Sequence, residues 1–475
     1  MPCTTILVGK KASYDGSVMI ARNDDSPSGR FTAKKFVVVH PDEQPKTYQS
    51  VISGIEIVLP EKAMRYCAMP NAVEKEEGIW AASGINEAHV AMTATETITS
   101  NTRVLGADPL VSQGIGEEDI VTLVLPYIHS AKEGVMRLGA LLEKYGTYEM
   151  NGIAFMDINE IWWLETIGGH HWMARRVPDD AYVVMPNQLG IDKFDFADKD
   201  NFTCSNDLKE FVEKYHLDLS LDNHFCPRDA FGSHSDADHV YNTPRAWAML
   251  RYFNPHDRIW DSKGVNCNPQ SDDLPWCMIP EKKITIEDMK YVLSNHYQGT
   301  PYDPYMSYGD KSQAGVYRSI GINRNDFLSI IQLKPGFEPI EWIAFASNVF
   351  NGLVPFYGDI ETTPDYLSNT TKDVSTDNFY WASRLLAAMG DASYKQSLSH
   401  IERYQERVMA KGHAYLHQYN ELLSHENDDK KRMTLKHQAN EEIANMIKQE
   451  TTDTLNKVLY ELSNNMKNAY SRSDS

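Results

Sequence analysis

Short apolar runs separated by turn residues fill the first hundred positions. TTILVG (4–9) and SVMIAR (17–22) flank the segment KKASYDGS, whose Asp15-Gly16 pair predicts a hairpin turning at or just before that dipeptide. KKFVVVH (34–40), SGIEIVLP (53–60), and the pair GIWAAS and AHVAMTAT around Gly84-Ile85-Asn86-Glu87 continue the strand pattern. The period then changes. Over 117–146, Ile120, Val121, Val124, Leu125, Ile128, Val135, Leu138, Leu141 and Leu142 keep near-helical spacing up to Gly146, so a helical block is expected. Strand-like runs return at 152–189 as GIAFMDI, EIWWLETI, HHWMARRV and AYVVMPNQL. Within them Trp162-Trp163 is expected to be core or cleft wall. Residues 244–365 are mixed. From Asp377 onward the pattern is helical, with Ile443, Met446, Ile447, Leu455, Val458, Leu459 and Leu462 three and four residues apart and a break at SHENDDKK (424–431). Strands, helices, strands, helices in that order predict an α+β arrangement with sheets packed between helical layers.

Composition narrows the setting. The chain has 475 residues, 42% hydrophobic and 11% aromatic, which is enough for a large core. A formal charge of −20 argues against nucleic acid and against an anionic membrane surface, both of which need basic patches. No run approaches the roughly 18 apolar residues of a membrane span, and charges at Lys10, Lys11, Asp15, Arg22, Asp24 and Asp25 leave no signal-peptide core. Six cysteines without a CxxC pair indicate neither a disulfide scaffold nor a structural zinc site. The expectation is a cytoplasmic protein without cofactor or metal.

The first hairpin brings chemistry together. With its turn near Asp15-Gly16, paired positions sum to 29–31, placing Cys3 across from residues 26–28 and one step from Arg22-Asn23-Asp24-Asp25. A guanidinium beside a thiol favours the thiolate. Two readings remain open at this point, a reactive cysteine or a surface charge cluster capping a hairpin.

CTTILVGKKASYDGSVMIARNDD resembles the start of the cysteine-type N-terminal-nucleophile hydrolases, and most closely their dipeptidase A group, to which the secernins are related. Bile salt hydrolases and penicillin V acylases are more distant relatives. The matching residues are Cys3, Arg22, Asn23 and Asp25. Gly84-Ile85-Asn86-Glu87, Met185-Pro186-Asn187-Gln188 and Thr243-Pro244-Arg245 resemble later elements of that superfamily, in the same order. The likeness runs from about residue 3 to 400.

The helical pattern of residues 376–475 predicts a C-terminal extension that packs on the domain or in a homo-oligomer. The resemblance implies a four-layer αββα sandwich of the N-terminal-nucleophile type for residues 3–375, the catalytic part, with residues 1–2 removed. It implies that Cys3 becomes the first residue and the nucleophile. Arg22 would hold its thiolate, Asp25 would orient the α-ammonium, and Asn187 would donate to the oxyanion, with Asn86 and Asn23 as further oxyanion or substrate contacts. Arg245 would support the site or meet a substrate carboxylate. The implied activity is hydrolysis of dipeptides, the partner being a small peptide substrate. A freed α-amino group, titrating near about 7.7–8.0, can take the thiol proton without a histidine base. Pro2 makes the maturation unusual, because ordinary methionine removal would leave Cys3 acylated on its nitrogen. Acylase chemistry on a non-peptide amide and a secernin-like non-catalytic protein are the alternatives.

His170-His171 and the HSDADH segment (234–239) suggest metal ligands, but the spacing matches no known ligand geometry, and FGSHSDADHVYN reads as a surface loop. Gly114-Ile-Gly116 lacks the lysine of a phosphate loop.

Overall fold

The computed structural model describes residues 3–221, 224–260 and 267–468, with the backbone alone at 95 and 96. The expected removal of Met1-Pro2 falls outside the described residues. Two antiparallel sheets stack face to face. The first runs in the order Cys277–Met278, Tyr182–Met185, Thr4–Val8, Val18–Asp25, Asn325–Leu333, Ile340–Phe345, Val354–Tyr357. The second runs Phe202–Cys204, His171–Arg176, Ile161–Ile167, Asn151–Met156, Ala91–Thr97, Ser83–Asn86, Tyr66–Ala68, Val37–Val39.

Helices cover both outer faces. Glu117–Val124 and Ala131–Tyr145 lie on the second sheet, while Thr243–Phe253, Ile286–Leu293, Phe379–Ala392, Tyr394–His425 and Asp429–Asn464 lie on the first. The result is a four-layer αββα sandwich of α+β class. Because both faces of each sheet are covered, the central strands are buried on both sides, which explains why TTILV (4–8) is buried throughout. Trp162 and Trp163 show the layering directly. Trp162 packs with the Ala131–Tyr145 helix layer, and Trp163 enters the core that lies between the sheets. Both are fully buried.

Three details differ from the sequence reading. The block expected over 117–146 is two helices, because Pro126 closes a 3-10 turn at Leu125–Tyr127 and the next helix restarts with Ser130 accepting from the Glu133 N–H. Glu56–Val58 leaves the main sheets to form a ribbon with Thr47–Gln49. The first hairpin pairs Thr4 with Asn23 and Val8 with Met19, so partners sum to 27. Its connection is the whole of 9–17, because that segment reaches sideways: Tyr14 N–H donates to Ile284 O at 3.0 Å, and Ile284 N–H donates to Ala12 O at 2.9 Å. Cys3 therefore faces Asp24.

The C-terminal helices share the core of the first sheet. Ile443, Ala444, Ile447 and Val458 are buried in it, whereas Leu459 of the same apolar pattern is 52% exposed.

Candidate active site

Alternation along Val18–Asp25 sends neighbouring side chains to opposite faces. Arg22 and Asp24 point between the sheets, and Asn23 and Asp25 point toward the helices. Arg22 Nη2 lies 2.6 Å from Cys3 Sγ, 2.6 Å from Asp24 Oδ1 and 3.1 Å from Glu117 Oε1. Cys3, Asp24 and Glu117 converge closely enough to resemble a cation site, and the Arg22 guanidinium fills the point of convergence. All four residues are fully buried. Lys34 adds a second cation, with Nζ 2.9 Å from Asp24 Oδ2. Burial pushes the Asp24 carboxyl up, but Lys34 and then Arg22 outweigh it and hold Asp24 below the ordinary carboxylate range.

Arg245 forms a second anchor. It donates to Cys3 O, to Thr4 Oγ1 at 2.7 Å, to Asn187 Oδ1 at 2.6 Å and to Asn242 Oδ1 at 2.8 Å. Locking the oxygen of Asn187 fixes which way its amide points. Asn187 Nδ2 is buried without a partner among the described residues, and Asn187 lines a cleft of about 1100 Å³. A buried amide donor left unmade costs free energy, so this atom is poised for an acceptor that enters the cleft. Other walls of the cleft come from Trp80, Thr99, Glu149, Asp238, Tyr241 and Asn242.

The structure thus joins Cys3, Arg22, Asn187 and Arg245. The remaining candidates lie elsewhere. Asp25 meets Arg318 and Asn325 on the helix side of the strand. Asn23 donates to Leu293 O at 2.7 Å and accepts from Asn348 at 2.8 Å on that side. Asn86 is spent on the backbone: its amide donates to Leu125 O and Ile128 O, both at 2.8 Å, and its oxygen accepts from the N–H groups of Ala88 and Val90. In this structure Asn86 thus holds a hairpin against the 3-10 turn rather than facing the cleft lined by Asn187.

The sequence placed Asp24 in the hairpin cluster without a role of its own and carried no signal for Glu117 or Glu149. An acidic triplet at a helix start, Glu117-Glu118-Asp119, fits the helix dipole and by itself signals nothing more. All three are fully buried here, which only the packing reveals. The loop 234–239 is also more than surface: His234, Ser235 and Asp238 wall the cleft. Its histidines meet acids, with His239 Nε2 2.9 Å from Asp272 Oδ1. His170 and His171 each reach one oxygen of Asp108, at 2.8 and 2.7 Å. Burial raises that carboxyl, yet these contacts hold it down at about 2.

With that geometry in place, similarity to known proteins is informative. A family model described as peptidase family C69 matches residues 2–407. A "Dipeptidase" of Bifidobacterium longum (strain NCC 2705) is 50% identical, with 100% of both chains covered. A "Probable dipeptidase A" of Streptococcus pyogenes serotype M3 (strain SSI-1) is 54% identical, again over 100% of both. "Dipeptidase A" of Lactobacillus helveticus is 46% identical, covering 88% of this chain and 87% of its own.

Proposed function

This chain belongs to peptidase family C69 and is a peptidase, and from that premise we propose that it is a dipeptidase working through an acyl-enzyme on Cys3. The observation that carries the reading is the Arg22 guanidinium 2.6 Å from Cys3 Sγ, beside a cleft into which Asn187 presents an unmade donor. The names of the relatives support dipeptides as the substrate class.

Maturation removes Met1-Pro2 and frees the α-amino group of Cys3, which takes the Sγ proton. The thiolate, favoured by Arg22, attacks the scissile carbonyl carbon. The oxyanion accepts from Asn187 Nδ2, held in place by Arg245. Collapse breaks the C–N bond, and the Cys3 ammonium returns its proton to the leaving amine. Water then attacks the thioester, giving up a proton to the same amine. The substrate's first residue leaves as the free acid and the thiol is restored. Six cysteines, all free among the described residues, are in keeping with a cytoplasmic setting. A homo-oligomer is proposed, and sedimentation tests it.

Incubating N-terminally verified protein with a dipeptide library tests the reading. Intact mass should show a chain beginning at Cys3, and dipeptides should be cleaved in preference to acyl amides. Full activity with Met1 retained would remove the α-amino base, and preference for acyl amides would make the protein an acylase.

A further inference from the structure

One carboxylate of the cleft takes no part in those steps. Glu149 lies just before the strand Asn151–Met156 and lines the same cleft as Asn187. Its Oε1 accepts from the Glu117 N–H at 2.7 Å. The nearby cations are engaged elsewhere: Arg22 with Cys3, Asp24 and Glu117, and Lys34 with Asp24. Two side-chain cations thus serve three carboxylates, and Glu149 is the one that lines the cleft. The other acids there are committed or exposed. Asp238 accepts from Ser233, Ser235 and Asn242, and the Asp229 side chain is 56% exposed on the rim. Burial, then the charge of Glu117, with a further push from Asp119, raises the Glu149 carboxyl to about 7. A cation docked beside it would relieve that repulsion.

Substrate geometry points the same way. In a dipeptide the ammonium nitrogen is two bonds from the scissile carbon, roughly 2.5 Å away given standard bond lengths. A carbonyl oxygen on the buried, unpartnered Asn187 Nδ2 therefore keeps its ammonium within the cleft that Glu149 also lines.

We propose that Glu149 binds the free α-ammonium of the substrate's first residue and so restricts the enzyme to peptides with an unblocked N-terminus. This inference rests on the dipeptidase reading. It is tested with mature wild type, Glu149→Gln and Glu149→Asp acting on alanyl-alanine and on N-acetyl-alanyl-alanine. Losing a charge-assisted contact should raise KM for the free dipeptide by about 10- to 100-fold in Glu149→Gln. The same change should leave kcat within about threefold and the rate of Cys3 alkylation by iodoacetamide unchanged, as expected for uniform binding. Glu149→Asp should recover part of the lost KM, and Glu149→Gln should erode the preference for the free over the acetylated peptide. An unchanged KM would overturn the inference, as would a loss confined to kcat with altered Cys3 alkylation, which would make Glu149 a residue that positions the thiol or its amine. Wild type that cleaves no dipeptide would instead overturn the reading beneath it.

Discussion

The two faces of the strand Val18–Asp25 carry similar residue types in different environments. Between the sheets, Arg22 is shared by a thiol and two carboxylates, next to the cleft that Asn187 lines. On the helix side, Asp25 is closed in by Arg318 and Asn325, and Asn23 by Leu293, Ile320 and Asn348. Near one face Asn187 Nδ2 is left unmade at the cleft, while on the other Asp25 and Asn23 are themselves hydrogen-bonded away from it. An unmade donor at a cavity can serve chemistry, whereas buried networks hold the sheet to its helices.

The largest effect should come from the thiol itself. Cys3→Ser should lower dipeptide hydrolysis by at least about 10³-fold, since nucleophile removal is among the costliest changes in such enzymes. Its thermal midpoint should stay near that of wild type, and turnover at the wild-type rate would place the nucleophile elsewhere. Next, Asn187→Ala should reduce kcat by about 10²–10³-fold with KM little altered. Steady-state kinetics that showed the loss in KM alone would make Asn187 a substrate-binding group.

The helix side should respond through stability. Asp25→Asn removes the carboxylate that pairs with the buried Arg318 guanidinium and should cost about 3–5 kcal/mol in urea denaturation, as breaking a buried pair does. In folded protein kcat should fall less than about tenfold. A folded but inactive Asp25→Asn would return the α-ammonium role to this aspartate and erase the contrast between the faces.

The smallest effect concerns pH. Glu341 is fully buried and accepts from Ser329 Oγ at 2.7 Å; burial above all raises its carboxyl to about 7. The unfolded chain ionises this group above about 4.3, while the native state keeps its proton up to about 7. Native protein therefore binds more protons in that window, and stability contributed by this group falls as pH rises through it. Thermal midpoints of Glu341→Gln measured from pH 5 to about 7.5 should slope less steeply downward than those of wild type. An identical slope would assign the trend to other buried acids, among them Glu165 and Asp326, each also raised to about 7.

Much of the fold was legible from pattern. Runs such as TTILVG and EIWWLETI marked strands because sheets covered on both faces favour largely apolar runs. The tail helices followed from three- and four-residue spacing, and the 424–431 break lies over the observed gap between His425 and Asp429. The hairpin register was not legible. Asp15-Gly16 is a turn signal, but the pairing of Ser13 and Tyr14 with Ile284 depends on a segment some 270 residues away.

Sequence by itself determined the residue types and their local order: a cysteine ahead of a core strand, an arginine a hairpin later, an Asn at one strand end and an Arg at one helix start. Local rules of period and turn act over a few residues, so these features needed no partner to be recognised. The tertiary structure decided which of these residues meet. It set Asp24 rather than Asp25 opposite Cys3, brought Glu117 to Arg22 across the sandwich, spent Asn86 on backbone carbonyls and left Asn187 unmade at the cleft. Those outcomes depend on strand register and on the stacking of two sheets, and a one-residue shift in either exchanges the faces of every side chain on the strand.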